Sequence, residues 1–78
     1  MDLKAKHIAV TGAARGLGFA IAQALQAKGA VVSVIDIDDE GVRQAVATLS
    51  ATGVAYGYSA NVADEASVAQ LFQKMQAD

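Results

Sequence analysis

The residues able to do chemistry cluster in one run, Thr11-Gly12-Ala13-Ala14-Arg15-Gly16-Leu17-Gly18. Glycines at 12, 16 and 18 let the main chain turn sharply and approach a ligand without β-carbons in the way. An apolar run precedes them and a helix-period pattern follows, so the turn delivers the chain to the start of a helix. The free N–H groups and positive dipole end at such a start suit phosphate. Three glycines alone are weak evidence; their place at a strand-to-helix junction gives them weight. Gly29, Gly53 and Gly57 lack that setting and read as caps or bends. Asp36 ends a second apolar run, 18 positions after Gly18. A carboxylate there can accept hydrogen bonds from adenosine ribose hydroxyls. It would also lie beside a second phosphate on that ribose. Two unit charges about 4 Å apart repel by roughly 4 kcal/mol at an effective dielectric of 20. The competing account is that Asp36 merely begins the acidic cap of the next helix, a need that Asp38 and Asp39 already meet. Together these residues describe a place for the ADP half of a dinucleotide.

The elements that must position them follow from periodicity. His7-Ile8-Ala9-Val10-Thr11 is short, apolar and bounded by Gly12, and reads as a buried strand. From Gly16 to Lys28, Leu17, Ile21, Ala24 and Leu25 share one helical face, with Gln23 and Gln26 on the other side. Gly29 follows as the C′ residue, and Lys28 complements the negative end of the dipole. Val31–Asp36 is a second strand, almost continuously apolar, as strands covered on both faces tend to be. Asp38 or Asp39 caps a second helix, Val42, Ala45, Val46 and Leu49 mark its face, and Gly53 ends it. A third strand spans Val54 to Ala60, interrupted by Gly57. Asp64 caps a last helix with Val68, Leu71, Phe72 and Met75 facing inward. The order β-α-β-α-β-α predicts an α/β fold, the amino-terminal half of a Rossmann doubly wound parallel sheet with strand order 3-2-1. Residues 1–78 then form the dinucleotide-binding portion of a single domain. The first strand would be central in a complete sheet and is an unpaired edge here, so the isolated chain is expected to fold poorly or self-associate.

Thr-Gly-x-x-x-Gly-x-Gly after a short first strand resembles the signature of the short-chain dehydrogenase/reductase family. The wording of residues 11–18 is similar to that of its bacterial 3-oxoacyl-carrier-protein reductase branch. The resemblance spans the whole chain but only about the first third of a typical member. It implies that Gly12, Gly16 and Gly18 form the phosphate turn, braced by Thr11, with main-chain contacts to the pyrophosphate at Leu17. Members usually carry Asp-Val after the third strand, the acid contacting the adenine amino group; this chain has Asn61-Val62. An Asn carbonyl can still accept that bond; alternatively Asn61 is a loop residue before the Asp64 cap. A basic residue at Arg15 accompanies NADP(H) preference in the family, or is simply solvated, whereas Asp36 favours NAD(H). NAD(H) is therefore expected and NADP(H) is the alternative. The implied parent is a homo-oligomeric oxidoreductase moving hydride between nicotinamide and a small-molecule carbonyl or alcohol substrate, a 3-oxoacyl thioester if the branch holds.

The family's Tyr-x-x-x-Lys pair, its Ser and its Asn-Asn-Ala-Gly segment do not occur in this chain. Four places after Tyr56 stands Ala60, and four after Tyr58 stands Val62, so both tyrosines read as strand packing. His7 has no catalytic partner in the sequence, and no metal-ligand spacing occurs. No catalytic residue is assigned within these residues. The ending Gln76-Ala77-Asp78 falls inside a helical pattern and reads as a truncation before the catalytic region. Two other functions compete: a non-catalytic nucleotide-binding or redox-sensing module, and a fragment acting only as an assembly piece.

Composition sets the outer bounds. Of 78 residues, 54% are hydrophobic and 18% charged, an apolar excess suggesting a buried sheet whose other half is elsewhere. A net charge of −2 gives no basic patch for nucleic acid. Cysteine is absent, which fits a reducing compartment. The opening Met1-Asp2-Leu3-Lys4-Ala5-Lys6 lacks a signal-peptide core, and apolar runs fall short of the roughly 20 residues a membrane helix needs. A cytoplasmic protein with neither nucleic-acid nor membrane partners is expected.

Overall fold

The computed structural model describes residues 3, 4 and 6–77, with no side-chain description at 77; positions 1, 2, 5 and 78, which entered the reading of both ends, lie outside the described residues. The elements run β1 (His7–Thr11), α1 (Gly16–Ala27), β2 (Val31–Asp36), α2 (Asp39–Ser50), β3 (Ala55–Ser59) and α3 (Glu65–Ala77). The sheet order is β1-β2-β3, the expected 3-2-1 read from the other edge. Both pairings are parallel, running from His7–Val31 to Thr11–Ile35 and from Val32–Ala55 to Asp36–Ser59. Hydrogen bonds from Val32 N–H to the Val54 carbonyl and from Ala60 N–H to the Asp36 carbonyl continue the second ladder beyond β3 on both sides. The strand thus reaches functionally across the predicted Val54–Ala60 span. Among the described residues, no helix is long and apolar enough to cross a membrane.

Alternation along the strands divides the core into two layers. Val32 and Val34, with half-buried Ile8 and Val10, face α1 and α2, where Ala22, Val42, Ala45 and Leu49 are buried. Ile35 and Tyr58 face the opposite way and pack with Ala60 and with Leu71 of α3. Because β2 contributes to both layers, its middle four residues are all buried, as its unbroken apolar run predicts. Ser33 is the polar exception on that strand. Its Oγ lies 2.6 Å from His7 Nε2. The His7 ring in turn sits 5.8 Å from that of Tyr56, so His7 has structural partners despite being the lone histidine.

Three expectations about faces and ends need correction. The inward side of α1 is not the Leu17–Ile21–Ala24 stripe: Leu17 is 78% exposed, Ile21 is exposed, and Ala22 is the buried residue, with Phe19 and Leu25 half-buried. The contacting side carries small residues, because at Gly18 the helix runs against the main chain of Gly12. A pattern based on large apolar side chains therefore selects the wrong face. Gln26, expected on the polar side, is half-buried and donates from Nε2 to the Leu49 carbonyl at 2.9 Å. Its Oε1 accepts from Thr52 Oγ1 at 2.9 Å, so a side chain of α1 caps the end of α2. That helix ends at Ser50, and Gly53 serves close approach: a β-carbon there would sit 3.0 Å from Gln26 Nε2. In α3, Phe72 is 60% exposed and leaves the packing to Leu71, with Met75 partly buried. Gly29 does fill its predicted role: at φ +103 it lets Gly29 N–H reach the Gln26 carbonyl and Ala30 N–H reach that of Leu25.

Candidate dinucleotide site

The turn between β1 and α1 has the conformation its glycines suggest. Gly12 (φ 64) and Gly16 (φ 62) occupy the left-handed region, which ordinary residues enter only with strain. Gly18 is needed for a different reason. A β-carbon on it would lie 2.2 Å from the Gly12 carbonyl oxygen, so only glycine lets α1 start so close to the end of β1. Thr11 closes β1 and is exposed; Leu17 stands in the first turn of α1.

The three helix starts differ in a way that bears on ligands. Asp38 caps α2 through a hydrogen bond from Gly41 N–H, and Asp39 and Glu40 add acid to the first turn. Asp64 similarly accepts from Ala66 N–H at the start of α3, followed by Glu65. At α1 the capping position is Arg15, in extended conformation, with no side-chain cap and no acid in the first turn. The first helical bond there runs from Phe19 N–H to the Arg15 carbonyl. The donors of the preceding residues are thus available to an external anion.

Asp36 stands at the end of β2 and is tied to both neighbouring loops. Its Oδ2 accepts from Ala14 N–H at 3.1 Å and its Oδ1 from Asp38 N–H at 3.2 Å. The carboxylate therefore belongs to neither cap of α2; that role falls to Asp38. With about four lone-pair sites on a carboxylate, two accepted bonds leave capacity facing a ligand. Arg15 reaches across the same opening to form an ion pair with Asp38 Oδ2. Arg15 thus remains solvent-exposed, as the solvated reading has it, and pairs with Asp38 rather than with Asp36.

A cleft of about 180 Å³ joins these parts, lined by Gly12, Ile35, Asp36, Ile37, Ala60, Asn61 and Val62. Of the residues read from sequence, it brings together Gly12, Asp36, Asn61 and Val62; Thr11, Arg15, Gly16, Leu17 and Gly18 belong to the adjoining turn. Ile35, Ile37 and Ala60 line it as well and were not singled out from sequence. Their positions flanking Asp36 and preceding Asn61 were the available signal, since parallel strands present their carboxyl ends to one rim. Asp38 was anticipated as a cap but not as the partner of Arg15. Asn61 is engaged locally: its Oδ1 accepts from Ala63 N–H at 3.0 Å, and its own N–H donates to Ser67 Oγ at 3.0 Å.

A turn of left-handed glycines, an uncapped helix start and a strand-end acid at the rim of a parallel sheet form the kind of α/β layer suited to a nucleotide. A family model described as short chain dehydrogenase matches residues 6–78, and the chain belongs to that family. A short chain dehydrogenase/reductase of Macrophomina phaseolina is 42% identical over 78 residues, 97% of this chain and 45% of that protein. The 3-oxoacyl-[acyl-carrier-protein] reductase FabG of Escherichia coli is 37% identical over 78 residues, all of this chain and 31% of that one. The solved Pseudomonas aeruginosa RhlG/NADP active-site complex superposes with a TM-score of 0.92 at 33% identity, covering 97% of this chain and 31% of that chain. The chain thus spans less than half the length of each of these relatives.

Proposed function

We propose that residues 1–78 hold the ADP half of a nicotinamide dinucleotide within an oxidoreductase that interconverts carbonyl and alcohol groups. The observation carrying this reading is the start of α1, left without a cap of its own and wrapped by left-handed Gly12 and Gly16. The main-chain donors at Gly16, Leu17 and Gly18 are suited to the pyrophosphate, Asp36 to the adenosine ribose, and the apolar cleft walls to the base. When bound, the nicotinamide supplies the hydride chemistry. The groups that bind the carbonyl substrate and move its proton belong, in this reading, to residues outside this chain. A 3-oxoacyl thioester is one candidate substrate, supported by the similarity to the acyl-carrier-protein reductase.

NAD(H) is the preferred cofactor in this reading. A ribose phosphate would meet the Asp36 carboxylate, with repulsion of roughly 4 kcal/mol at 4 Å and an effective dielectric of 20. Arg15 offers little compensation while Asp38 holds it, although an exposed pair of this kind is worth only about 0.2–1 kcal/mol. The acid therefore decides. Steady-state turnover of NADH and NADPH by the full-length gene product tests the reading. NADH is expected to be preferred, and Asp36→Ala to move the ratio toward NADPH by about tenfold or more, a change worth about 1.4 kcal/mol. An unmoved ratio would refute the role of Asp36. Dinucleotide binding without turnover of any carbonyl or alcohol would favour a sensing module.

A further inference from the structure

Gly41 stands buried in the first turn of α2, and its backbone gives no reason for a glycine. The left-handed glycines are Gly12, Gly16 and Gly29. In an ordinary helical conformation alanine is the better residue. What excludes a side chain is the neighbourhood. A β-carbon at position 41 would lie 3.0 Å from Ala14 Cβ and 2.8 Å from Asp38 Oδ2. The first separation is about half an ångström or more below the spacing that carbon atoms prefer. The glycine turn and the start of α2 thus meet at Ala14 and Gly41, so closely that a second methyl has no room.

The two contacts would yield differently. Asp38 Oδ2 is the end of a side chain and can swing aside. The Ala14 methyl is fixed to the main chain of the turn. Its predecessor Ala13 is fully buried and donates its N–H to the Ile35 carbonyl at 3.3 Å. A push on Ala14 is therefore passed forward along the chain. It reaches first the Ala14 N–H that bonds Asp36 Oδ2 at 3.1 Å, then Gly16, Leu17 and Gly18. We propose that Gly41 is a positioning residue for dinucleotide binding. By carrying no side chain it lets α2 brace the glycine turn in the place that receives the pyrophosphate, without itself lining the cleft. This rests on the dinucleotide reading above.

The test titrates the full-length gene product with NADH, following nicotinamide fluorescence, and melts the unliganded protein. Gly41→Ala is expected to weaken NADH binding by about tenfold, as when one hydrogen bond to a charged group is lost. Its melting temperature should stay within about 5 °C of the natural protein's, because alanine favours the helix that it crowds. Adding Ala14→Gly removes the methyl that is struck and leaves the contact with Asp38 in place. The double variant should therefore bind NADH within about threefold of the natural protein, the mark of two residues coupled by direct contact. Unchanged binding in Gly41→Ala, or a loss that Ala14→Gly does not restore, would overturn the proposal while leaving the dinucleotide site intact. So would a larger fall in melting temperature, which would make Gly41 a support of the fold and not of the turn. A natural protein that binds no NADH would instead overturn the site itself.

Discussion

The two layers of this molecule are held by different means. Between the sheet and the α1–α2 pair, helices approach closely because small residues stand at the contacts: Gly18 against Gly12, Ala22 and Ala45 in the core, and Gly57 beneath α2. Side chains then cross between elements, with Gln26 closing the end of α2 and Asp36 joining two loops. On the other face α3 meets the sheet through a smaller cluster around Ile35, Tyr58, Ala60 and Leu71, and leaves Phe72 in water. The glycine turn and Asp36 stand on the first layer, whereas Asn61 and Val62 stand at the entry to α3. The more closely packed layer thus carries the glycine turn and Asp36, which the proposed function assigns to the phosphates and ribose of the cofactor. The proposed base wall stands on the side with the smaller cluster.

Removing equivalent side chains from the two layers is the strongest way to break this comparison. Leu49, 1% exposed, should cost about 4 kcal/mol on truncation to Ala, near the upper part of the range for buried leucines. Leu71→Ala should cost about 2 kcal/mol, since fewer neighbours are left around a cavity there. Urea unfolding of the two variants in the full-length gene product measures both, and equal losses would mean the layers are equally tight. Gly57→Ala sharpens the point at closer range. The added methyl would lie 2.6 Å from Val42 Cγ1 and 2.7 Å from Val46 Cγ2, branched side chains with little room to rotate. A loss of about 1–2 kcal/mol is expected from such overpacking, read as a lower unfolding midpoint. The smallest effects concern the caps. Asp38→Ala should lower stability by about 1 kcal/mol, while Asp38→Asn, which can still accept from Gly41 N–H, should lose only a few tenths. Thermal melts of the pair separate the hydrogen bond from the charge; equal losses would assign the effect to the lost ion pair with Arg15.

Strands, helix order and the conformation of the glycine turn were legible in the sequence because each is encoded by neighbours along the chain. The apolar run of β2, the glycines at the first junction and the acids before α2 need no distant partner to be recognised. What escaped depends on contacts between elements. The face of α1 is chosen by where a helix can come close, so its largest apolar residues, Leu17 and Ile21, point away from the core. Gln26 looks like a solvated residue until the end of α2 is placed beside it. Gly57 reads as a break in a strand, whereas α2 fills the space its missing side chain leaves. At the site, Asp36 was recognisable from its distance to the glycines, but the capture of Arg15 by Asp38 required the loops to be brought together. The orientation of the Asn61 amide is similarly invisible in composition, being settled by one main-chain N–H two residues on.

The two hydrogen bonds accepted by Asp36 make that carboxylate a spacer between two loops. By taking one N–H from the glycine turn and one from the start of the β2–α2 connection, it prevents the two from moving independently. Under the proposed function, the separation between the place for a diphosphate and the place for a ribose would thereby be set before anything binds. On the proposed reading such a site would work as a gauge: a molecule carrying both groups at the matching interval would satisfy it in one step. A free phosphate or a bare nucleoside would touch only one end of the scale and gain nothing from the other.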